Sequence, residues 1–182
     1  MKAIQAIFER KSVRSYRNDP VPEQALEEIL KAGSCAPVAG TFQISVITKP
    51  ELLKEINDTA KKGMLSSNVP FMVQRAFLPG YEPLYAAPVL IVLSSPENSP
   101  NAAANASCAA ENMLIAATSL GLGSCYLGSP RLAFGSENGK ALAAKAKIPE
   151  GYAFNCGVII GYQDGEAFRS AGRKKVKIEY VK

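Results

Sequence analysis

The segment from Ala102 to Leu120 constrains this chain more than any other. It reads as one long helix, and Ala103, Ala106, Ala109, Ala110, Met113, Leu114, Ala117 and Leu120 place apolar side chains on nearly every side of it. A helix that apolar must be covered on more than one face. Its alanines leave room for another helix to approach closely. Two arrangements satisfy it: a central core helix, or a helix that also forms a seam between two copies of the chain.

The rest of the chain supplies the covering layers. Lys2 to Glu9 reads as a short helix with Ile4, Ile7 and Phe8 on one face. Asp19-Pro20-Val21-Pro22 is a turn, and Pro22 opens a helix with Leu26, Ile29 and Leu30 inward that Gly33 is expected to end. Gln43 to Thr48 alternates like a strand, and Pro50 to Ala60 is an amphipathic helix. Pro88 to Ser94 is a continuous apolar run of the kind a buried strand shows. After the long helix, Gly121-Leu122-Gly123 stops it, Ser124 to Leu127 is a short strand, Asn138 to Ala146 a helix, and Ala153 to Tyr162 the last core strand. Val176 to Val181 alternates as an edge strand or an extended arm. Residues 63–85 mix Met, Pro, Phe and Tyr without a period. Strands interleaved with helices, with no repeat and no linker, imply a single domain over 1–182, an α+β or α/β fold in three α-β-α layers.

Composition removes whole classes of chemistry. Among 182 residues there is no histidine, which excludes Ser-His-Asp and Cys-His nucleophiles and every His-ligated metal site. No metal is expected. The reaction must need little from a side-chain acid or base, as when a cofactor carries the reactivity. Cys35, Cys108, Cys125 and Cys156 form no CxxC pair, and each lies in an apolar stretch, so buried free thiols are expected. No apolar run reaches the roughly 20 residues of a membrane helix, and the first ten residues lack a signal-peptide core, so a cytoplasmic location is expected.

The net charge of +5 is unevenly placed. Residues 1–18 carry five basic side chains against Glu9 alone, residues 169–182 carry six against Glu179 alone, and the middle is mildly acidic. If the two ends meet, they form one anion site suited to a phosphate monoester. If they do not, they are two solvated runs. The basic residues have no interleaved aromatic platforms, so no nucleic-acid role is expected.

Five segments in order resemble the nitroreductase family: Arg10-Lys11-Ser12-Val13-Arg14-Ser15-Tyr16, Ala36-Pro37-Val38-Ala39-Gly40-Thr41-Phe42-Gln43, Tyr85-Ala86-Ala87-Pro88-Val89-Leu90-Ile91-Val92, Ala109 to Gly128, and Gly157-Val158-Ile159-Ile160-Gly161-Tyr162 with the basic tail. The resemblance spans nearly the whole chain. It implies a mostly antiparallel central sheet flanked by helices, and an obligate homodimer with two FMN sites at the interface. It also implies a ping-pong reaction at flavin N5, with NADH or NADPH as donor and a nitroaromatic, quinone or similar small acceptor. A non-catalytic flavin carrier or sensor on the same fold is the alternative.

The resemblance further implies site residues. Arg10 corresponds to the phosphate-binding arginine, Ser12 to a ribityl-phosphate contact, and Lys11 stands between them in the cofactor-binding set. Arg14 occupies the basic position near the flavin N1–O2 edge, where a cation tunes the ring. Pro37, Val38 and Ala39 match the loop that contacts the flavin of the partner subunit. Leu127 and Gly128 match the segment against the ring near N5, and Arg173 and Lys175 the phosphate-binding pair of the tail. No side chain is expected to act as a catalyst itself. Glu82 stands where many larger members carry a lysine, a reversal of charge expected to bear on redox potential or acceptor choice. Phe71, Phe77, Tyr81 and Tyr85 are candidates for the wall of an acceptor pocket or for the core.

Overall fold

In a computed structural model, residues 2–165 and 176–182 are described. Four antiparallel strands make the central sheet: β1 (Gln43–Ile47), β2 (Val89–Pro96), β3 (Gly123–Leu127) and β4 (Tyr152–Gly161), in spatial order β1-β2-β4-β3. The two central strands are buried on both faces, which is why 88–94 reads as an unbroken apolar run rather than an alternating one.

Strand periodicity divides the core in two. Val89, Ile91 and Leu93 of β2, with Cys156, Val158 and Ile160 of β4, point to one face. There they meet helix α2 (Glu23–Ser34) and helix α5 (Ala102–Ser119) through Ile29, Ala106, Ala109, Ala110, Met113 and Ala117. Leu90, Val92 and Ile159 point to the other face and meet helix α3 (Pro50–Leu65), helix α6 (Arg131–Phe134) and helix α7 (Gly139–Lys145). The result is the α-β-α sandwich expected. Helix α1 (Ala3–Glu9) rests on α5, and helix α4 (Pro70–Ala76) on α3. None of the helices among the described residues is long and apolar enough to cross a membrane.

Four expectations change. Helix α2 runs through Gly33 instead of ending there. Gly33 is buried against Met113, and a methyl at that position would fall 2.1 Å from Met113 Cε, so the glycine serves close helix packing. Helix α3 continues to Leu65, because Met64 enters the core and extends the apolar stripe by a turn. Ile4, Ile7 and Phe8 are exposed, while Ala6 is buried on the helix that rests against α5. Cys125 and Cys156 are buried thiols, whereas Cys35 and Cys108 are exposed. Residues 176–182 are extended and exposed, an arm rather than a strand of their own sheet.

Candidate functional site

The strand β3 lies at the edge of the sheet, and the chain leaving α1 runs beside it. Val13 N–H donates to the Ser124 carbonyl at 2.9 Å, Ser12 bridges Ser124 in parallel sense, and Tyr16 bridges Gln163. Val13 and Tyr16 are buried, and the Tyr16 hydroxyl donates to the Val13 carbonyl at 2.8 Å. Gly123 lets Val13 come this near, since a methyl there would sit 3.0 Å from both Val13 γ-carbons. Extended backbone alternates its side chains, so burying Val13 turns Ser12 and Arg14 away from that packing.

Arg14 then lines a cavity of about 490 Å³. Its other walls are Cys125, Tyr126, Leu127, Gly128 and Ser129 after β3, Met64 of α3, Phe71, Met72 and Arg75 of α4, Tyr81, Tyr85, and Arg131 with Leu132 of α6. Among the described residues, three arginines line this space and no carboxylate does. Gly128 has open space above it, with nothing within 4 Å of where a Cβ would stand. The charge and shape fit an anionic planar group such as a flavin.

The Cys125 thiol is pushed up by burial, while Arg14, the Ser12 side chain, Arg10 and Arg75 act in the opposite sense. Arg10, Ser12 and Arg14 are thus all near enough to Cys125 of β3 to bear on its thiol. The Arg10 Nε also meets a carboxylate oxygen of Glu111, on α5, at 3.2 Å. Lys11 is exposed. Leu127 is buried and Gly128 exposed, and both line the cavity.

Pro37, Val38 and Ala39 are exposed and absent from that lining. Their loop is nonetheless fixed. Ala39 N–H donates to Asn105 Oδ1 at 3.1 Å, and Asn105 Nδ2 donates to the Ala39 carbonyl at 2.8 Å. Arg173 and Lys175 lie outside the described residues.

The segment 81–88 separates this cavity from a second one of about 550 Å³, lined by Asn18, Thr48, Lys54, Asn57, Asp58, Glu82, Leu84 and Ala86 among others. Glu82 belongs there. It accepts a hydrogen bond from Asn57 and pairs with Lys61 at 3.1 Å. The larger space carries two carboxylates and is the poorer host for a phosphate or a reduced ring.

Of the four candidate wall aromatics, Phe71, Tyr81 and Tyr85 line the arginine-rich cavity, while Phe77 is exposed elsewhere. Tyr81 is pushed up to about 12 by burial and by Tyr85. Two residues here escaped the sequence reading. Asn105 was legible as one of two amides in an alanine-rich helix, with Asn112. Arg75 was legible as the only cation between Phe71 and Tyr85.

The comparisons with known proteins agree with this geometry. A protein of Archaeoglobus fulgidus, provisionally named NADH dehydrogenase/NAD(P)H nitroreductase, is 30% identical over 173 residues, 91% of this chain and 87% of that protein. A crystal structure of a nitroreductase with bound FMN from Bacteroides fragilis superposes with a TM-score of 0.89 at 28% identity. Another with bound FMN, from Desulfitobacterium hafniense, gives 0.91 at 26% identity, and all of both chains is covered in each case. The model of the nitroreductase family matches residues 7–162, from α1 through β4 and so across every element that builds the cavity. This chain belongs to the nitroreductase family.

Proposed function

We propose that residues 1–182 form one FMN-binding unit of a homodimer that takes electrons from NADH or NADPH and delivers them to a small oxidised acceptor, a nitroaromatic, quinone or similar compound. The observation that carries this reading is the cavity beside β3, lined among the described residues by three arginines and no carboxylate. FMN, when bound, would supply the redox chemistry, hydride acceptance at N5 and electron delivery in a second half-reaction of a ping-pong sequence.

The chain's own residues bind, orient and polarise. Arg10, Lys11 and Ser12 hold the phosphate and ribityl chain, with Arg173 and Lys175 completing the phosphate site from the tail. Arg14 places a cation at the N1–O2 edge, which favours electron uptake because the reduced ring carries negative charge there. Leu127 and Gly128 set the ring's position, and the missing side chain at Gly128 leaves space beside it. A cofactor that carries its own reactivity suits a chain without histidine.

Two features support the dimer. The outward face of α5 bears Ala103, Ala104, Ser107 and Cys108, all small and exposed, as a close helix seam requires. The arm 176–182 exposes Val176 at 79% and Tyr180 at 81%, apolar surface that a second copy would cover. In that dimer, Pro37, Val38 and Ala39 reach the partner's FMN.

The test is optical and hydrodynamic. Purified protein should be yellow, should bleach anaerobically with NADH or NADPH, and should regain colour on adding a nitroaromatic or quinone. It should sediment as a dimer. Protein that stays colourless with excess FMN refutes the reading, and bound flavin that neither nucleotide reduces replaces the enzyme with a carrier.

A further inference from the structure

We propose that Arg75 makes the arginine-rich cavity selective for aromatic acceptors that carry a carboxylate. This inference rests on the FMN-enzyme reading above and names the acceptor of that same site.

Cations near carboxylates elsewhere in this chain are paired: Arg10 with Glu111, Arg17 with Asp19, Lys61 with Glu82 and Lys145 with Glu55. Arg75 is different. Its partners among the described residues are neutral. One guanidinium nitrogen donates to the Tyr85 hydroxyl at 2.6 Å, and the group lies 5.2 Å from the centre of the Tyr81 ring and 5.9 Å from that of Phe71. Burial keeps the Tyr81 phenol protonated across the ordinary pH range, so it supplies no countercharge.

The other two arginines of the cavity have their own roles. Arg131 donates to the Asn155 carbonyl at 3.2 Å and lies over the Phe154 ring, and Arg14 serves the cofactor under the proposed function. A half-buried guanidinium with spare donors matches a planar carboxylate in a bidentate fork. The same cavity is lined by Phe71, Met64 and Met72, a ring and two thioethers suited to an aromatic ring. One cavity thus offers an anion clamp and apolar surface together.

The experiment compares 4-nitrobenzoate with its methyl ester, two acceptors with one ring and different charge. In each turnover NADH and a proton take the nitro group to nitroso with release of water, and NADH leaves as NAD⁺. Wild type should favour the acid by about tenfold or more in kcat/KM, expressed in KM, as one charge-assisted clamp implies. Arg75→Met should erase that preference, the loss falling on the acid rather than the ester. Arg75→Lys should keep part of it.

Calorimetry of benzoate against benzyl alcohol gives a second readout that needs no turnover. Wild type should bind benzoate at least tenfold more tightly, and Arg75→Met should lose the difference. Equal treatment of acid and ester by wild type, or equal loss of both in Arg75→Met at unchanged melting temperature, overturns the proposal. Loss of FMN in Arg75→Met also overturns it, by giving the guanidinium to the cofactor. Failure of wild type to hold or reduce FMN refutes the proposed function instead, and benzoate binding then still decides whether Arg75 is an anion clamp.

Discussion

Asn105 and Ala39, 66 residues apart in sequence, exchange a pair of hydrogen bonds as two peptide groups would, at 3.1 and 2.8 Å. The amide is 3% exposed, at the base of α5, and it ties the exposed 37–40 loop to the helix. Asn105→Ala removes both bonds and leaves the Ala39 backbone groups dependent on water. The expected cost is about 2 kcal/mol of stability, at about 1 kcal/mol per bond. If the loop contacts a partner's FMN, affinity should also fall about tenfold. Urea denaturation and a fluorescence titration with FMN measure the two effects; no change in either would show the clip to be idle.

Arg10→Ala separates binding from folding. Its pairing with Glu111 is partly exposed on both sides, and such pairs contribute less than about 1 kcal/mol. The melting temperature of the apoprotein should therefore move little. FMN affinity should fall by about a hundredfold, because a phosphate loses a charge-assisted fork. Purification of the variant with full FMN occupancy contradicts the role given to Arg10.

Gly33→Ala tests the contact between α2 and α5. The new methyl collides with the Met113 side chain, which is fully buried and has little room to move. Overpacking of this kind costs about 1–3 kcal/mol. Met113→Ala should be destabilising on its own, through a cavity. The double variant should lose less than the two single losses together, since each change relieves the other. Strict additivity in a thermal or urea melt would show that the two positions do not meet.

Tyr16 gives a pH dependence of known sign. Burial, first of all, raises its phenol well above the ordinary value of 10. The unfolded chain releases that proton above pH 10 while the folded chain keeps it. The stability linked to this group is therefore complete below pH 10 and is lost as pH climbs beyond it. Tyr16→Phe should be less stable near neutrality by about 1 kcal/mol, for the lost bond to Val13. It should lose less melting temperature than wild type between pH 9 and pH 11. Parallel curves over that interval would rule this out.

Much of the layer order was legible because strand and helix periodicities are local. The unbroken run at 88–94 reads as a buried strand, and it forms one of the two central strands of the sheet. What escaped depends on long-range packing. Gly33 reads as a stop signal in isolation, and only the presence of Met113 eighty residues later makes it a spacer. The shared face of Ile4, Ile7 and Phe8 does not tell which side of α1 is covered, and it is Ala6 that is buried.

The nearness of Arg10, Ser12 and Arg14 to Cys125 of β3 follows from motifs that sit together in sequence. The contribution of Arg75 does not, since nothing in an aperiodic stretch tells which side chains will share a wall. Glu82, singled out for its charge, belongs to the dividing segment itself and faces the other cavity.

That segment turns on Tyr85 and Ala86, consecutive residues with φ of 52° and 56°. Left-handed backbone is unfavourable for residues other than glycine, by roughly 1 kcal/mol or more each. Tyr85 faces the arginine-rich cavity and Ala86 the acidic one. The partition between the two chambers is thus written in the main chain. Substitutions along it can repaint either room, but they leave the dividing wall where it stands.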